Sequence, residues 1–116
     1  MDDFDIPILR KTLDLYKAIY ALRVSVSKQD RYTLWLRVEN SCLDVVEGLL
    51  QSTALYKGEK LPALNVVSTK LNLLRFFVRL ARETRVIDTK KYILLQQPID
   101  EIGRMLGGWI KSVKTE

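Results

Sequence analysis

The sequence predicts an all-α protein, an antiparallel up-down-up-down four-helix bundle built as a single domain over residues 1–116. Apolar residues recur at intervals of three and four in four stretches of the chain, which is the spacing of helices with one buried face. Only three short polar breaks separate these stretches, and short connections force successive helices to run antiparallel. Five glycines and three prolines are too few for the many turns of an all-β protein.

The first helix is predicted over residues 7–24 and the second over residues 28–56. Pro7 suits the first turn of a helix, where the N–H that proline lacks would have no partner. Ser27 and Asp30 lie three residues apart before a new apolar run, and this spacing resembles a capping box with aspartate in place of glutamate. We therefore expect the second helix to begin directly after Ser27 and to continue unbroken.

The third helix is predicted over residues 61–85. Gly58 is well placed to end the preceding helix, and Pro62 suits the first turn of this one. Apolar residues in this stretch alternate steps of three and four, which is the heptad spacing of a buried seam. The seam comprises Leu64, Val67, Leu71, Leu74, Val78 and Ala81.

The fourth helix is predicted over residues 89–112, with Asp88 or Thr89 as its N-cap. Its apolar stripe keeps the same phase before and after Pro98, so we expect a kinked helix that continues through this proline. The stripe comprises Tyr92, Leu95, Ile99, Ile102, Leu106 and Trp109.

Three glycines lie in the last part of this fourth helix, at Gly103, Gly107 and Gly108. A glycine inside a helix costs on the order of 1 kcal/mol relative to alanine, so each needs a compensating reason. One explanation is the close approach of a neighbouring backbone. The other is that Gly107 and Gly108 form a C-terminal cap that folds Trp109 back onto the bundle.

The positive charge of the chain is concentrated in one segment. There are 19 basic and 14 acidic residues, and four of the five net positive charges fall in residues 59–86. Arg75, Arg79 and Arg82 are spaced by four and three, so they form a row along one side of the third helix. Guanidinium groups bind phosphate at two points, which favours a nucleic-acid surface. The alternative is a solvated face neutralised by acidic residues of the second helix: Glu39, Asp44 or Glu47.

The first, second and fourth helices also carry large apolar residues outside their main stripes. These residues are Leu13, Tyr16, Leu36, Leu43, Leu50, Ile93, Leu94 and Ile110. One bundle cannot bury all of them, so we expect self-association or an extended partner surface. The alternative is ordinary exposure, because about half of the surface of any folded protein is apolar.

The composition excludes most catalytic and metal-binding chemistry. The chain has no histidine and one cysteine, which excludes imidazole acid–base catalysis, a Cys/His zinc site and a disulfide framework. We expect Cys42 to be a buried core residue and not a nucleophile, and we expect no enzyme activity, metal or cofactor. The acidic N-terminus and the lack of a long apolar run indicate a cytoplasmic protein without a signal peptide or membrane span.

Four segments of the chain match the motifs of a known family. The most specific is residues 103–109, Gly-Arg-Met-Leu-Gly-Gly-Trp. Residues 70–81 match the family's third helix and residues 6–16 its first, and residues 31–34 match the start of its second helix, where Trp35 replaces a common glycine. On these motifs the sequence resembles the Avd family, the accessory variability determinant proteins of diversity-generating retroelements. The third-helix match is shared with broader four-helix-bundle relatives encoded in ribosomal RNA intervening sequences.

The resemblance implies a non-catalytic helical bundle that forms a homopentamer with a basic surface. It also implies association with the retroelement's reverse transcriptase and with RNA or DNA, particularly template RNA, in support of mutagenic retrohoming. The corresponding basic residues in this sequence are Arg75, Arg79 and Arg82, with Lys70, Arg85 and Arg104 as further candidates. The residues themselves leave an alternative open: an oligomeric bundle that binds only a protein partner and whose basic row is solvated or salt-bridged.

Overall fold

Five α-helices and one 3₁₀ turn follow one another in a computed structural model of the protein, which describes residues 6–115. The helices are α1 (Pro7–Leu22), α2 (Lys28–Arg31), α3 (Leu34–Thr53), α4 (Lys57–Glu83) and α5 (Thr89–Lys114), and the 3₁₀ turn is Arg23–Ser25. The four long helices form a ring in which α3 packs on α1 and α4, and α5 packs on α4 and α1. The predicted all-α, up-down-up-down four-helix bundle is therefore confirmed.

The predicted unbroken helix over residues 28–56 is wrong, because the chain is divided between the one-turn α2 and the long α3. Ser27 caps α2 as expected: its side-chain oxygen accepts from the Asp30 N–H at 3.3 Å, and its hydroxyl donates to Asp30 Oδ2 at 2.8 Å. The Arg31 guanidinium then donates to the Val26 carbonyl oxygen at 3.0 Å. This bond ties α2 to the connection that follows α1, so the chain changes direction before α3 begins.

The boundary between the second and third predicted helices also lies elsewhere. α3 ends at Thr53 and α4 begins at Lys57, four residues earlier than expected. Gly58 therefore lies in the first turn of α4 and does not end α3. The missing N–H of Pro62 is the one that would have bonded the Gly58 carbonyl, and both residues are exposed, so water can satisfy that oxygen. The other helix ends differ from the predicted ones by two residues at most.

The core is formed by one face of each long helix. All six seam residues predicted for the third helix are buried, which confirms the heptad spacing.

Asp88 is the N-cap of α5, where its Oδ1 accepts from the Lys91 N–H at 2.8 Å. α5 continues through Pro98, and buried residues lie on both sides of it, at Leu95 and Ile99.

Cys42 is a core residue, as its position in the sequence predicts. Its side chain is fully buried, and its Sγ lies 3.9 Å from the carbonyl oxygen of Thr12 on α1. Burial raises the pKa of the Cys42 thiol to about 12, because the charged thiolate would lose its hydration. The thiol therefore stays protonated near neutral pH, which is the opposite of what a nucleophile needs.

Neither of the two explanations predicted for the α5 glycines fits all three of them. α5 runs on to Lys114, so the C-terminal cap at Gly107 and Gly108 is wrong. A Cβ at either position would meet no atom of residues 6–115 within 4 Å, so no backbone of the described chain approaches there. At Gly103 the close neighbour is a side chain, since the Arg75 Nη2 lies 3.1 Å from the place of a Cβ.

Gly48 on α3 is the glycine that close helix packing requires. A Cβ at this position would lie 2.7 Å from Cγ2 of Val67 on α4, a distance that real Cβ atoms do not reach. Because Val67 is β-branched and buried, its side chain has little freedom to move away. The absence of a side chain at Gly48 therefore sets how closely α3 and α4 approach.

We predict opposite effects for one substitution at two helical glycines. Gly108→Ala should raise the free energy of unfolding by about 1 kcal/mol, because alanine is the better helix former and its methyl group meets open space. Gly48→Ala should lower the free energy of unfolding by about 1 kcal/mol or more, because overpacking against Val67 outweighs the same gain. Urea unfolding of the two variants beside the wild type measures both, and equal stabilisation by the two would contradict the described α3–α4 packing.

Candidate nucleic-acid interface

Five of the six predicted basic residues line one groove between α4 and α5. A hollow of about 380 Å³ in this groove is lined by Arg75 and Arg104, and a neighbouring one of about 300 Å³ by Arg75 and Arg79. A third hollow, of about 410 Å³ at the α4–α5 connection, is lined by Arg82 and Arg85. We call this surface the arginine groove, and its five arginines are those just named. The structure thus brings together residues that the sequence spreads over 30 positions.

The arginines reach this groove because of the heptad seam of α4. Buried Leu71, Leu74 and Val78 hold one face of α4 against the core. Arg75 and Arg79 come one position after two of these seam residues, so they point to the edge of α4 that faces α5. Gly103 of α5 lies opposite and leaves room for the Arg75 guanidinium.

Two of the arginines are already paired with carboxylates. Arg75 forms an ion pair with Asp100 on α5, and the Nε of Arg79 lies 3.3 Å from Oε1 of Glu83 one turn further along α4. All four side chains are at least one third exposed. Pairs as exposed as these are typically worth under about 1 kcal/mol, so a competing anion can open them.

The acidic residues that the sequence suggested as neutralising partners are the wrong ones. Glu39 is buried, and its Oε2 lies 3.8 Å from the Nε of Arg23 at the end of α1. Asp44 and Glu47 line a separate hollow of about 200 Å³ between α3 and α4. The sequence distance between Arg75 and Asp100, 25 residues, explains why this pairing could not be anticipated from spacing along one helix.

Lys70 does not belong to the arginine groove. It lines the same α3–α4 hollow as Asp44 and Glu47, on the other side of α4. These carboxylates disfavour an anion at Lys70, so it stands apart from the arginines, and its role in nucleic-acid binding stays a prediction.

The remaining arginines keep their charge unneutralised. The Arg82 guanidinium carbon lies 4.6 Å from the centre of the Tyr92 ring, which orients the group without cancelling its charge. Within residues 6–115, Arg82, Arg85 and Arg104 form no ion pair with a carboxylate. The groove thus has three guanidinium groups without a carboxylate partner, those of Arg82, Arg85 and Arg104. The other two, those of Arg75 and Arg79, are each paired with a half-exposed carboxylate.

Aromatic side chains lie among these arginines. Phe76 is 59% exposed and lines the same hollow as Arg75, Arg79 and Tyr92. Exposed aromatic rings beside guanidinium groups suit single-stranded nucleic acid, because bases stack on the rings while phosphates bind the cations. Spacing along the sequence does not indicate Phe76, Tyr92 or Asp100 as groove residues. The one available signal is Phe76, a large apolar residue outside the α4 seam that directly follows an arginine of the row.

No other functional chemistry is found in the described part of the chain. Residues 6–115 contain no group of histidine, cysteine, aspartate or glutamate side chains placed to hold a metal ion. Every buried side-chain nitrogen or oxygen there has a hydrogen-bond partner. None of the helices in this range is both long and apolar enough to span a membrane.

Comparison with known proteins gives three results. A solved structure with 19% sequence identity, a protein of unknown function from the S23 ribosomal protein family of Bacteroides thetaiotaomicron, has the same fold, with a TM-score of 0.79. The similarity covers 90% of this chain and 98% of that chain. A search of curated proteins finds no match. A family model described as bAvd-like matches residues 7–113, and the chain therefore belongs to the bAvd-like family.

Proposed function

We propose that the protein is a non-catalytic, cytoplasmic accessory protein of a diversity-generating retroelement. In this role it binds template RNA or cDNA through the arginine groove and acts together with the retroelement reverse transcriptase in mutagenic retrohoming. Membership of the bAvd-like family over residues 7–113 is the observation that carries the proposal. The arginine groove adds a physical reason, since it combines guanidinium groups with the exposed ring of Phe76 and the partly buried ring of Tyr92.

The groove binds the nucleic-acid backbone more by charge than by base recognition. Its donors are guanidinium groups, which match phosphate geometry and carry no base preference when they contact the backbone. Phosphates displace Asp100 from Arg75 and Glu83 from Arg79, because both ion pairs are partly open to water. Binding is therefore strongly salt-dependent and tolerant of sequence.

A homo-oligomer, and by the family resemblance a pentamer, is the second part of the proposal. Two separate apolar surfaces support it. Leu36 and Leu43 are exposed on α3, and Val66 and Leu73 are exposed on α4. Two different surfaces on one chain suit head-to-tail contacts, which close into a ring when the rotation between copies permits.

The alternative function is an interaction module that binds only a protein partner. The pairing of Arg75 with Asp100 and of Arg79 with Glu83 favours it, because these pairs neutralise two members of the predicted basic row. The two functions differ in one measurable property, the salt-dependent binding of nucleic acid.

The first prediction on this function concerns the arginine row. The wild type should bind a fluorescent single-stranded RNA with an affinity that falls steeply as salt rises, because phosphate contacts release counterions. Replacing Arg75, Arg79 and Arg82 together with glutamine should weaken binding roughly 100-fold at 0.1 M salt, by three lost phosphate contacts. Fluorescence anisotropy at several salt concentrations measures the affinity and its salt slope.

The matched control removes three positive charges outside the groove, by glutamine at Lys17, Lys28 and Lys70. The control should keep most of the affinity, and circular dichroism should show both variants folded. Equal losses in the two triple variants would show binding by net charge alone and would contradict a role for the groove. Absence of any RNA binding by the wild type would favour the protein-only module.

A second prediction concerns the carboxylate that competes with phosphate. Asp100→Asn should strengthen RNA binding up to about fivefold at 0.1 M salt, because it frees Arg75 and removes a negative charge from the groove. Glu101→Gln is the matched control, since it removes the same charge from the next residue, whose Oε2 lies 2.9 Å from Lys11 Nζ on α1. If both variants strengthen binding equally, Asp100 has no specific part in the groove.

The oligomer is tested by the mass of the protein in solution. Light scattering after gel filtration should give about five times the 13.5 kDa mass of the chain. Leu43→Lys should lower this mass, because it places a charge on the exposed apolar surface of α3. Asp44→Lys introduces the same side chain at the next residue, outside that surface, and should leave the mass unchanged. A wild-type monomer would refute the oligomer.

A further inference from the structure

Arg85 occupies a backbone conformation that disfavours arginine. Its φ is 64°, and among residues 6–115 it is the one non-glycine residue with a positive φ. It directly follows Thr84, the C-cap of α4, and the Val86 N–H bonds back to the Ala81 carbonyl at 2.8 Å. This is the helix-ending geometry in which glycine is most common at the left-handed position. A side chain there costs stability that glycine would not cost.

The Arg85 side chain does not recover this cost through a contact in the described chain. It is exposed, and within residues 6–115 it forms no ion pair, side-chain hydrogen bond or ring contact. The two carboxylates nearest in sequence are engaged elsewhere: Glu83 pairs with Arg79, and Asp88 is the N-cap of α5, where it accepts from the Lys91 N–H. Arg85 therefore combines an unfavourable backbone conformation with a guanidinium group that forms none of these contacts within residues 6–115.

The surroundings of Arg85 suit a bound anion. It lines the hollow of about 410 Å³ at the α4–α5 connection together with Arg82, whose guanidinium Tyr92 orients from one face. A guanidinium that packs on a ring by its face keeps its N–H edges available for hydrogen bonds. Neither arginine has to leave a carboxylate before it binds, in contrast to Arg75 and Arg79.

We infer that Arg85, with Arg82, forms the phosphate contact of the arginine groove that is ready before any carboxylate is displaced, and that the arginine at this left-handed position serves binding at the expense of stability. This inference rests on the proposed nucleic-acid function. It means that the backbone of a single strand first binds at Arg82 and Arg85. Arg75 and Arg79 then contribute only as phosphates displace their carboxylates.

The test is a substitution that should improve folding and weaken binding at once. Arg85→Gly should raise the melting temperature by roughly 4 °C, because glycine relieves the left-handed strain. It should weaken binding of a single-stranded RNA about fivefold at 0.1 M salt and lower the salt slope by about 0.7, the loss of one phosphate contact. Arg85→Lys keeps both the strain and the charge, so it should keep the melting temperature and most of the affinity.

Lys17→Gln is the control for the loss of one positive charge, because Lys17 is exposed on α1, which is not a helix of the groove. The inference is overturned if Arg85→Gly binds RNA as Lys17→Gln does, or if its melting temperature does not rise. Either result would overturn only the inference about Arg85. The proposed nucleic-acid function still holds as long as the wild type binds RNA in a salt-dependent manner. If the wild type does not bind, the proposed function and this inference fail together.

Discussion

The rest of the structure depends on the orientation of α4 about its own axis. Its buried seam fixes this orientation from the inside, and the close approach of Gly48 to Val67 fixes it from the side of α3. With two sides of the helix held, the arginines can point only to the α5 edge, where Gly103 has no side chain to exclude Arg75. Apolar packing therefore positions the charged surface, and the ion pairs across the groove follow from it.

The features that could be predicted from the sequence are those that repeat within one helix. The heptad seam of α4, the Asp88 cap and the continuation of α5 through Pro98 all follow from local spacing and local chemistry. The break between α2 and α3 was missed, because it depends on Arg31 binding a carbonyl that belongs to the preceding connection. The pairing of Arg75 with Asp100 was missed for the same reason, since it joins two helices whose facing edges only the packed core determines. The separation of Lys70 from the arginines likewise needs the position of α3.

The charges of the groove divide into a restrained part and a free part. Asp100 and Glu83 hold the guanidinium groups in the middle, whereas Tyr92 supports Arg82 at one end without neutralising it. Such a division limits nonspecific attraction to other polyanions, because full charge becomes available only to a ligand that can exchange with the carboxylates. The net charge of the chain is only +5, and five of its arginines nevertheless share this groove.

The length of the groove has a consequence for the size of what one chain can hold. Arg75 and Arg82 are seven residues apart on α4, which is about 10 Å at the rise of an α-helix. Under the proposed function, a row of this length would contact only about two or three successive phosphates of one strand. The proposed function then gives one protomer a footprint of only a few nucleotides, and a longer transcript would be shared among copies. The length of nucleic acid that such an assembly protects would then report how many subunits hold it.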